Sequence, residues 1–251
     1  ADAPLPLLPD EGLRAHARAM RARLRREGFT LETAAQSFAL IRCAAERTLG
    51  RRHYDTQLMA GYALLRGRLV EMATGEGKTL SATLPACTAP LAGYPVHVTT
   101  GNDYLGQRDA EKMAPLYEFF GLGVGVVMQG QEKPLRRRAY AQAITYATNK
   151  EVAFDYLRDR VALQGGSSRL HQSLPRLAGD ESASEDTVLR GLYFAIVDEA
   201  DSVFVDEART PLILSASRGD AEEAGHGAAA LDGAGEMGGG CHFPVAPAED
   251  S

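Results

Sequence analysis

Thr74-Gly75-Glu76-Gly77-Lys78-Thr79 and, well downstream, Val197-Asp198-Glu199-Ala200-Asp201 carry the residue types that bind and split a magnesium nucleotide. A glycine-rich turn between a strand and a helix aims backbone N–H groups at phosphate oxygens, and the first turn of the helix adds partial positive charge. Lys78 then neutralises the β- and γ-phosphates and Thr79 holds the magnesium. Met72 stands where the usual pattern has Gly or Ala, so the loop gains its specificity from what surrounds it. Asp198 and Glu199 close an apolar run, Tyr193 to Val197, of the length of a buried parallel strand, and ligands of open α/β sheets collect at such strand ends. There Asp198 reaches magnesium through water, and Glu199 orients or deprotonates the water that attacks the γ-phosphate. Asp-Glu-Ala-Asp alone also suits the start of a solvated helix, where acids are favoured; the two elements together, in this order, point to ATP.

The elements that must hold these groups are legible in the hydrophobic periodicity. Residues 69–72 read as a short strand leading into the loop, and 80–84 continue as a helix. Before them, three helices are predicted over 11–27, 31–49 and 55–65. The first is basic, with Arg14, Arg18, Arg21, Arg25 and Arg26 around Leu13, Met20 and Leu24, a surface helix whose charged face is either solvated or turned to anionic lipid or a partner. After the loop, strands at 96–100, 124–128, 144–147 and 193–197 alternate with helices at 103–120, 135–142 and 151–158. That rhythm implies right-handed crossovers and a parallel sheet covered on both faces. Residues 164–186, rich in Gly, Ser, Asp and Glu, read as a long loop inserted before the acidic strand, in an insertion spanning 164–190. Residues 217–251 lack core-forming side chains and read as a low-complexity tail or linker.

A chain of 251 residues, 45% hydrophobic, can bury one substantial α/β core. The net charge of −6 argues against a general nucleic-acid binder. Cys43, Cys87 and Cys241 are too few and too far apart for a disulfide framework or a zinc ribbon, which fits a reducing compartment. Cys241-His242 alone supplies too few ligands for a metal. No stretch has the ~18 consecutive apolar residues of a membrane span, so a soluble protein is expected. The start at Ala1-Asp2 is read as that of a trimmed or partial product.

Several further strings are distinctive: Arg52-His53-Tyr54-Asp55-Thr56-Gln57-Leu58, Asn102-Asp103-Tyr104-Leu105, Phe154-Asp155-Tyr156-Leu157-Arg158-Asp159 and Asp206-Glu207-Ala208-Arg209-Thr210-Pro211-Leu212-Ile213. With Glu71-Met72-Ala73 and the phosphate loop, they resemble the first nucleotide-binding domain of the SecA preprotein translocase ATPase family, over roughly residues 31–215. The resemblance implies an α/β fold of RecA-like type, a parallel sheet with helices on both faces preceded by N-terminal helices. It divides the chain into a basic helix (1–30), a RecA-like nucleotide-binding domain (31–216) and the tail (217–251). It implies that Gln57 reads the adenine, a task that suits a side-chain amide because it donates and accepts at once. It also implies that Gly75, Glu76, Gly77, Lys78 and Thr79 line the phosphates, and that Thr79 and Asp198 serve the magnesium. Arg209 would brace the strand that leads into the preprotein-binding domain, and Asp103, Arg108 and Asp159 would couple domains or cap helices.

As partners the resemblance implies a preprotein and a membrane protein-conducting channel, with the protein in the cytoplasm and at the inner face of the cell membrane. An anionic lipid surface is a further candidate and no specific nucleic acid is expected. Family members continue with a second motor domain whose arginines complete the ATP site, and loss of an arginine finger costs ~10³–10⁵ in rate. The isolated chain is therefore expected to be a weak or inactive ATPase. Two other readings stand beside the translocase motor: a nucleic-acid helicase domain, since Asp-Glu-Ala-Asp also marks RNA-remodelling enzymes, and a catalytically silent nucleotide-binding module.

Overall fold

Small and aliphatic side chains recurring every three or four residues dictate the helical first third of the chain, and capping residues set its limits. In the computed structural model, which describes residues 5–162 and 187–206, α1 (Asp10–Glu27) buries Leu13, Ala17, Met20 and Leu24 on one stripe. Burying a Leu or Met side chain contributes roughly 1.5–3 kcal/mol. α2 (Leu31–Leu49) starts where Thr30 accepts the N–H of Thr33 at 3.2 Å, and ends at Gly50 in the left-handed conformation. α3 (Asp55–Leu65) and α4 (Lys78–Leu91) pack closely, and Gly61 permits it: a Cβ there would lie 2.7 Å from Leu84 Cδ1. A turn at Leu5–Leu7 precedes α1.

The sheet is four-stranded and wholly parallel, in the order β2-β3-β1-β4: β1 (Val96–Thr100), β2 (Val124–Val126), β3 (Ile144–Thr148) and β4 (Phe194–Val197). Val96 lies opposite both Ile144 and Phe194, and Thr99 opposite Ala147 and Val197, so the strands finish at a common rim. Between them run α5 (Asp103–Phe119), α6 (Lys133–Tyr140) and α7 (Asn149–Ala162). Val96, Val98, Ile144, Tyr146 and Ile196 point into a core shared with α1, α2, α4 and α5. His97, Thr145 and Ala147 point the other way, where Tyr140 of α6 meets the His97 ring at 5.7 Å and Ala139 accepts the Thr145 hydroxyl. Both faces are thus covered, and the fold is of the RecA-like α/β class with helices preceding the sheet.

The structure moves several sequence boundaries and replaces one element. Residues 69–72 form no strand: Leu69 is 85% exposed and 68–73 carry no ladder among the described residues, so the phosphate loop follows an extended connection. β4 is a parallel strand as expected but stands at the end of the sheet among the described residues, with Tyr193 and Ala195 exposed, rather than buried. The alternating Tyr-Phe-Ala-Ile-Val run does not distinguish these, because only Ile196 is fully buried. α7 extends four residues beyond its predicted end.

The basic helix is not simply a solvated face. Arg14 Nε donates to Phe119 O and Arg21 Nη2 to Phe120 O, both at 3.2 Å, which caps the C-terminal end of α5. Arg25 Nε reaches Ala92 O at the end of α4, while Arg18 and Arg26 pair with Glu11 and Glu27. Cations at helix C-termini are stabilising, so the charge pattern serves the fold.

The chain divides into two compact units, residues 1–212 and 213–251, and every element named above belongs to the first. The proposed tail (217–251), most of the inserted loop (164–186), the strings from Glu207 onward with Arg209, and Cys241-His242 lie outside the described residues.

Candidate functional site

Two glycines shape the phosphate loop. Gly75 and Gly77 have φ of 89° and 81°, a conformation that L side chains avoid, and Gly77 is the N-cap of α4. The first intrahelical bond is Ser81 N to Gly77 O at 2.9 Å, which leaves the N–H groups of Lys78, Thr79 and Leu80 without acceptors inside the helix. Lys78 is exposed and forms no ion pair among the described residues, and neither the Lys78 nor the Thr79 side chain makes a hydrogen bond there. Unpaired donors, left-handed glycines and a free ammonium at a helix start fit a phosphate anion. The Thr79 hydroxyl and the Asp198 carboxylate fit the hard-oxygen preference of magnesium, and no group of three or more His, Cys, Asp or Glu that could hold a metal ion occurs among the described residues.

The loop is tied from behind by Gln57. Its Nε2 donates to Glu76 O at 2.7 Å and its Oε1 accepts the N–H of Tyr54 at 3.0 Å, so one buried amide joins the start of α3 to the phosphate loop. A Cβ on Gly77 would lie 2.5 Å from that Nε2. Glu76 folds back, with Oε2 accepting the N–H of Ala73 at 3.0 Å. The amide of Gln57 is thus already engaged at both ends, and only its second N–H and second lone pairs remain for another ligand.

At the rim, Asp198 N donates to Thr99 O at 3.0 Å and extends the β1–β4 ladder by one bond, while Asp198 Oδ1 accepts the N–H of Glu199. Glu199 has φ 54°, the one positive value for a non-glycine among the described residues. Such outliers cost energy and cluster at functional sites. Its Oε2 rests against Gly101 in the β1–α5 turn, 2.8 Å from where a Cβ on that glycine would stand. Asp198 and Glu199 line a cavity of about 840 Å³ formed by the ends of β1, β3 and β4 and the first turns of α5 and α7. Residues 74–79 are not in its wall; α4, which packs on both β1 and β4, is the element that links the loop to the acidic pair.

A buried ionic cluster supports the far wall. Arg136 of α6 donates to the carbonyls of Met128 and Gln131 and pairs with Asp155 at 2.8 Å and Glu151 at 2.5 Å. Asp155 also accepts from Tyr140 and Arg158. Burial pushes the Tyr140 hydroxyl well above the usual tyrosine range, with the Asp155 charge acting in the same direction. Asp159, one turn on, accepts the N–H groups of Val188 at 2.9 Å and Leu189 at 2.8 Å, and so anchors the segment that leads into β4. Its burial raises the carboxyl above the ordinary aspartate value. The Phe154-to-Asp159 string therefore serves to hold loops around the rim, and Asp103, whose Oδ2 accepts the N–H of Gln129 at 2.8 Å, does the same on α5. Arg108 turns to its neighbour Asp109 instead. Sequence reasoning did not find Arg136 or Gly101; one arginine of the run in Lys-Pro-Leu-Arg-Arg-Arg carries no signal of its burial.

The family model for the SecA DEAD-like domain matches residues 3–234. The chain belongs to the SecA family. It is 53% identical over 207 residues to "Protein translocase subunit SecA 2" of Bordetella avium, covering 82% of this chain and 31% of that protein. It is 47% identical over 231 residues to the protein of the same name from Nitrosospira multiformis, covering 92% and 34%. Against "Protein translocase subunit SecA" of Alcanivorax borkumensis it is 49% identical over 199 residues, 79% of this chain and 20% of that one. The chain thus spans about a third or less of the length of these SecA relatives. No helix among its described residues is long and apolar enough to cross a membrane.

Proposed function

We propose that this chain is the ATP-binding motor domain of a SecA-type protein translocase, whose parent protein drives preproteins through a membrane channel from the cytoplasmic side. The observation that carries the nucleotide reading is the unpaired anion cradle at the start of α4, Gly77-Lys78-Thr79, on a helix that packs against the strand ending at Asp198-Glu199. Lys78 and the first-turn N–H groups of α4 bind the phosphates. Thr79 and Asp198 hold magnesium, which supplies positive charge at the phosphoryl oxygens when bound. Glu199 orients the attacking water and takes its proton. Gln57 offers its remaining donor and acceptor to the adenine. Preprotein and channel are the proposed partners, as the resemblance to the SecA family implies; the relatives' names say protein translocase subunit. An anionic lipid surface stays a candidate partner of α1 through Arg18 and Arg26, whose pairs with Glu11 and Glu27 are exposed, while Arg14, Arg21 and Arg25 are held by backbone carbonyls.

The test is titration with a fluorescent ATP analogue and magnesium. Lys78→Ala is expected to weaken binding at least tenfold. Glu199→Gln is expected to preserve binding while abolishing the chain's residual turnover. Undiminished binding by the Lys78 variant would remove the cradle from the site. Stimulation of the parent protein's turnover by RNA, but not by preprotein with channel, would favour the helicase reading.

A further inference from the structure

His53 belongs neither to the phosphate cradle nor to the acidic pair, yet it is completely buried against the start of α4. Its Nε2 lies 3.0 Å from both Leu80 O and Thr83 Oγ1. A carbonyl only accepts, so Nε2 carries the hydrogen, while the Thr83 hydroxyl donates its own to the same carbonyl at 2.6 Å. Nδ1 is then the bare nitrogen, buried and without a hydrogen-bond partner among the described residues. An unsatisfied buried acceptor costs about 1–3 kcal/mol, so an apolar side chain of like size would serve packing better than imidazole does. What imidazole adds is the grip on Leu80 O. Four residues on, Gln57 Nε2 holds Glu76 O. Gly77, Lys78 and Thr79 therefore lie between two carbonyls held from one short segment, His53 to Gln57. One turn beyond each partner, Gly61 lets α3 close on Leu84 of α4.

We propose that His53 is a positioning residue for the phosphate loop: its Nε2–H on Leu80 O fixes the first turn of α4, and with it the N–H groups of Lys78, Thr79 and Leu80, in the geometry that receives a polyphosphate. This role rests on the nucleotide reading of that loop. His53 acts through Leu80 and not by touching a phosphate, since its own ring is fully buried. A cradle of backbone N–H groups binds only as well as they are aimed, and in an active site a displacement of about 1 Å can cost ~10²-fold. Gln57 holds the entry to the cradle and His53 its exit, so loss of either frees one end.

The experiment is competition on the whole 251-residue chain, in which inorganic tripolyphosphate or adenosine displaces a fluorescent ATP analogue in the presence of magnesium. His53→Leu, of like size but without a donor, is expected to weaken the analogue and tripolyphosphate about tenfold and adenosine less than about twofold. Glutamine carries an N–H close to where Nε2 stands, so His53→Gln is expected to return tripolyphosphate to within about threefold of wild type. Asparagine is too short to reach Leu80 O, and His53→Asn should behave as His53→Leu does. A residue that only fills space would lose both competitors alike and would not tell glutamine from asparagine. Equal losses of tripolyphosphate and adenosine would therefore overturn the assignment, as would wild-type tripolyphosphate affinity in His53→Leu. Should His53→Leu fail to fold, the glutamine and asparagine variants make the same comparison. Lys78→Ala separates the two readings. If it loses tripolyphosphate while His53→Leu does not, His53 has no part in the loop; if it binds as the wild type does, the loop is no phosphate site and both fall.

Discussion

Gln57 shows how one side chain can set the shape of a binding loop without belonging to it. Its buried amide satisfies Tyr54 N and Glu76 O together. Gln57→Ala leaves both unpaired and is expected to cost about 1–3 kcal/mol in urea denaturation, with a parallel loss of nucleotide affinity. The two loop glycines separate strain from contact. A Cβ on Gly75 meets nothing within 4 Å, whereas one on Gly77 collides with the Gln57 amide. Gly75→Ala is therefore expected to cost only the left-handed penalty of roughly 1–2 kcal/mol. Gly77→Ala adds displacement of Gln57 and should lower affinity for the fluorescent nucleotide well beyond the Gly75 variant; equal effects would show that the amide does not shape the loop.

Among the elements, the cluster on α6 and α7 distinguishes buried from exposed charge. Arg136→Ala leaves Glu151 without its cation and Asp155 with one fewer, and is expected to cost about 3–5 kcal/mol, whereas Arg158→Ala, at the half-exposed end of the same cluster, costs under ~1 kcal/mol. Comparison of urea midpoints at equal slope decides this. The cluster also marks where sequence reading stops. Periodicity placed α2, α3 and β1 to the residue, because local apolar spacing and caps such as Thr30 and Gly50 determine them. It made a strand of residues 69–72, because Leu-Val-Glu-Met has strand character, but a strand exists only with a ladder partner, and none pairs there among the described residues. The phosphate loop and the acidic pair were legible as motifs. The carbonyls capped by Arg14, Arg21 and Arg25 lie 67 to 105 residues away in sequence, and no local pattern encodes such bonds.

For the molecule as a whole, two buried histidines tie stability to pH. His53 Nε2 donates to Leu80 O at 3.0 Å, and His97 lies in the sheet against Tyr140. Burial holds both imidazoles below the ordinary histidine value, with positive charge from Arg42 on His53 and from Arg190 on His97 acting in the same direction. Each therefore takes up its proton at lower pH in the folded chain than in the unfolded one, where histidine titrates near pH 6.5. Their contribution is complete above about pH 6.5 and is lost as pH falls towards the folded values, at no more than ~1.4 kcal/mol per pH unit for each. Melting temperatures between pH 7.5 and 5.5 should fall, and a flat profile would contradict the assignment. The place of β4 at the end of the described sheet reaches further. Its outer row of peptide groups meets no ladder partner among the described residues, beside exposed Tyr193 and Ala195. An unpaired, apolar strand margin recruits like margins from other copies. If that margin is uncovered in the whole chain, turbidity should rise steeply with protein concentration and a lysine in place of Ala195 should keep the chain dispersed, whereas turbidity independent of concentration would show that the margin is covered.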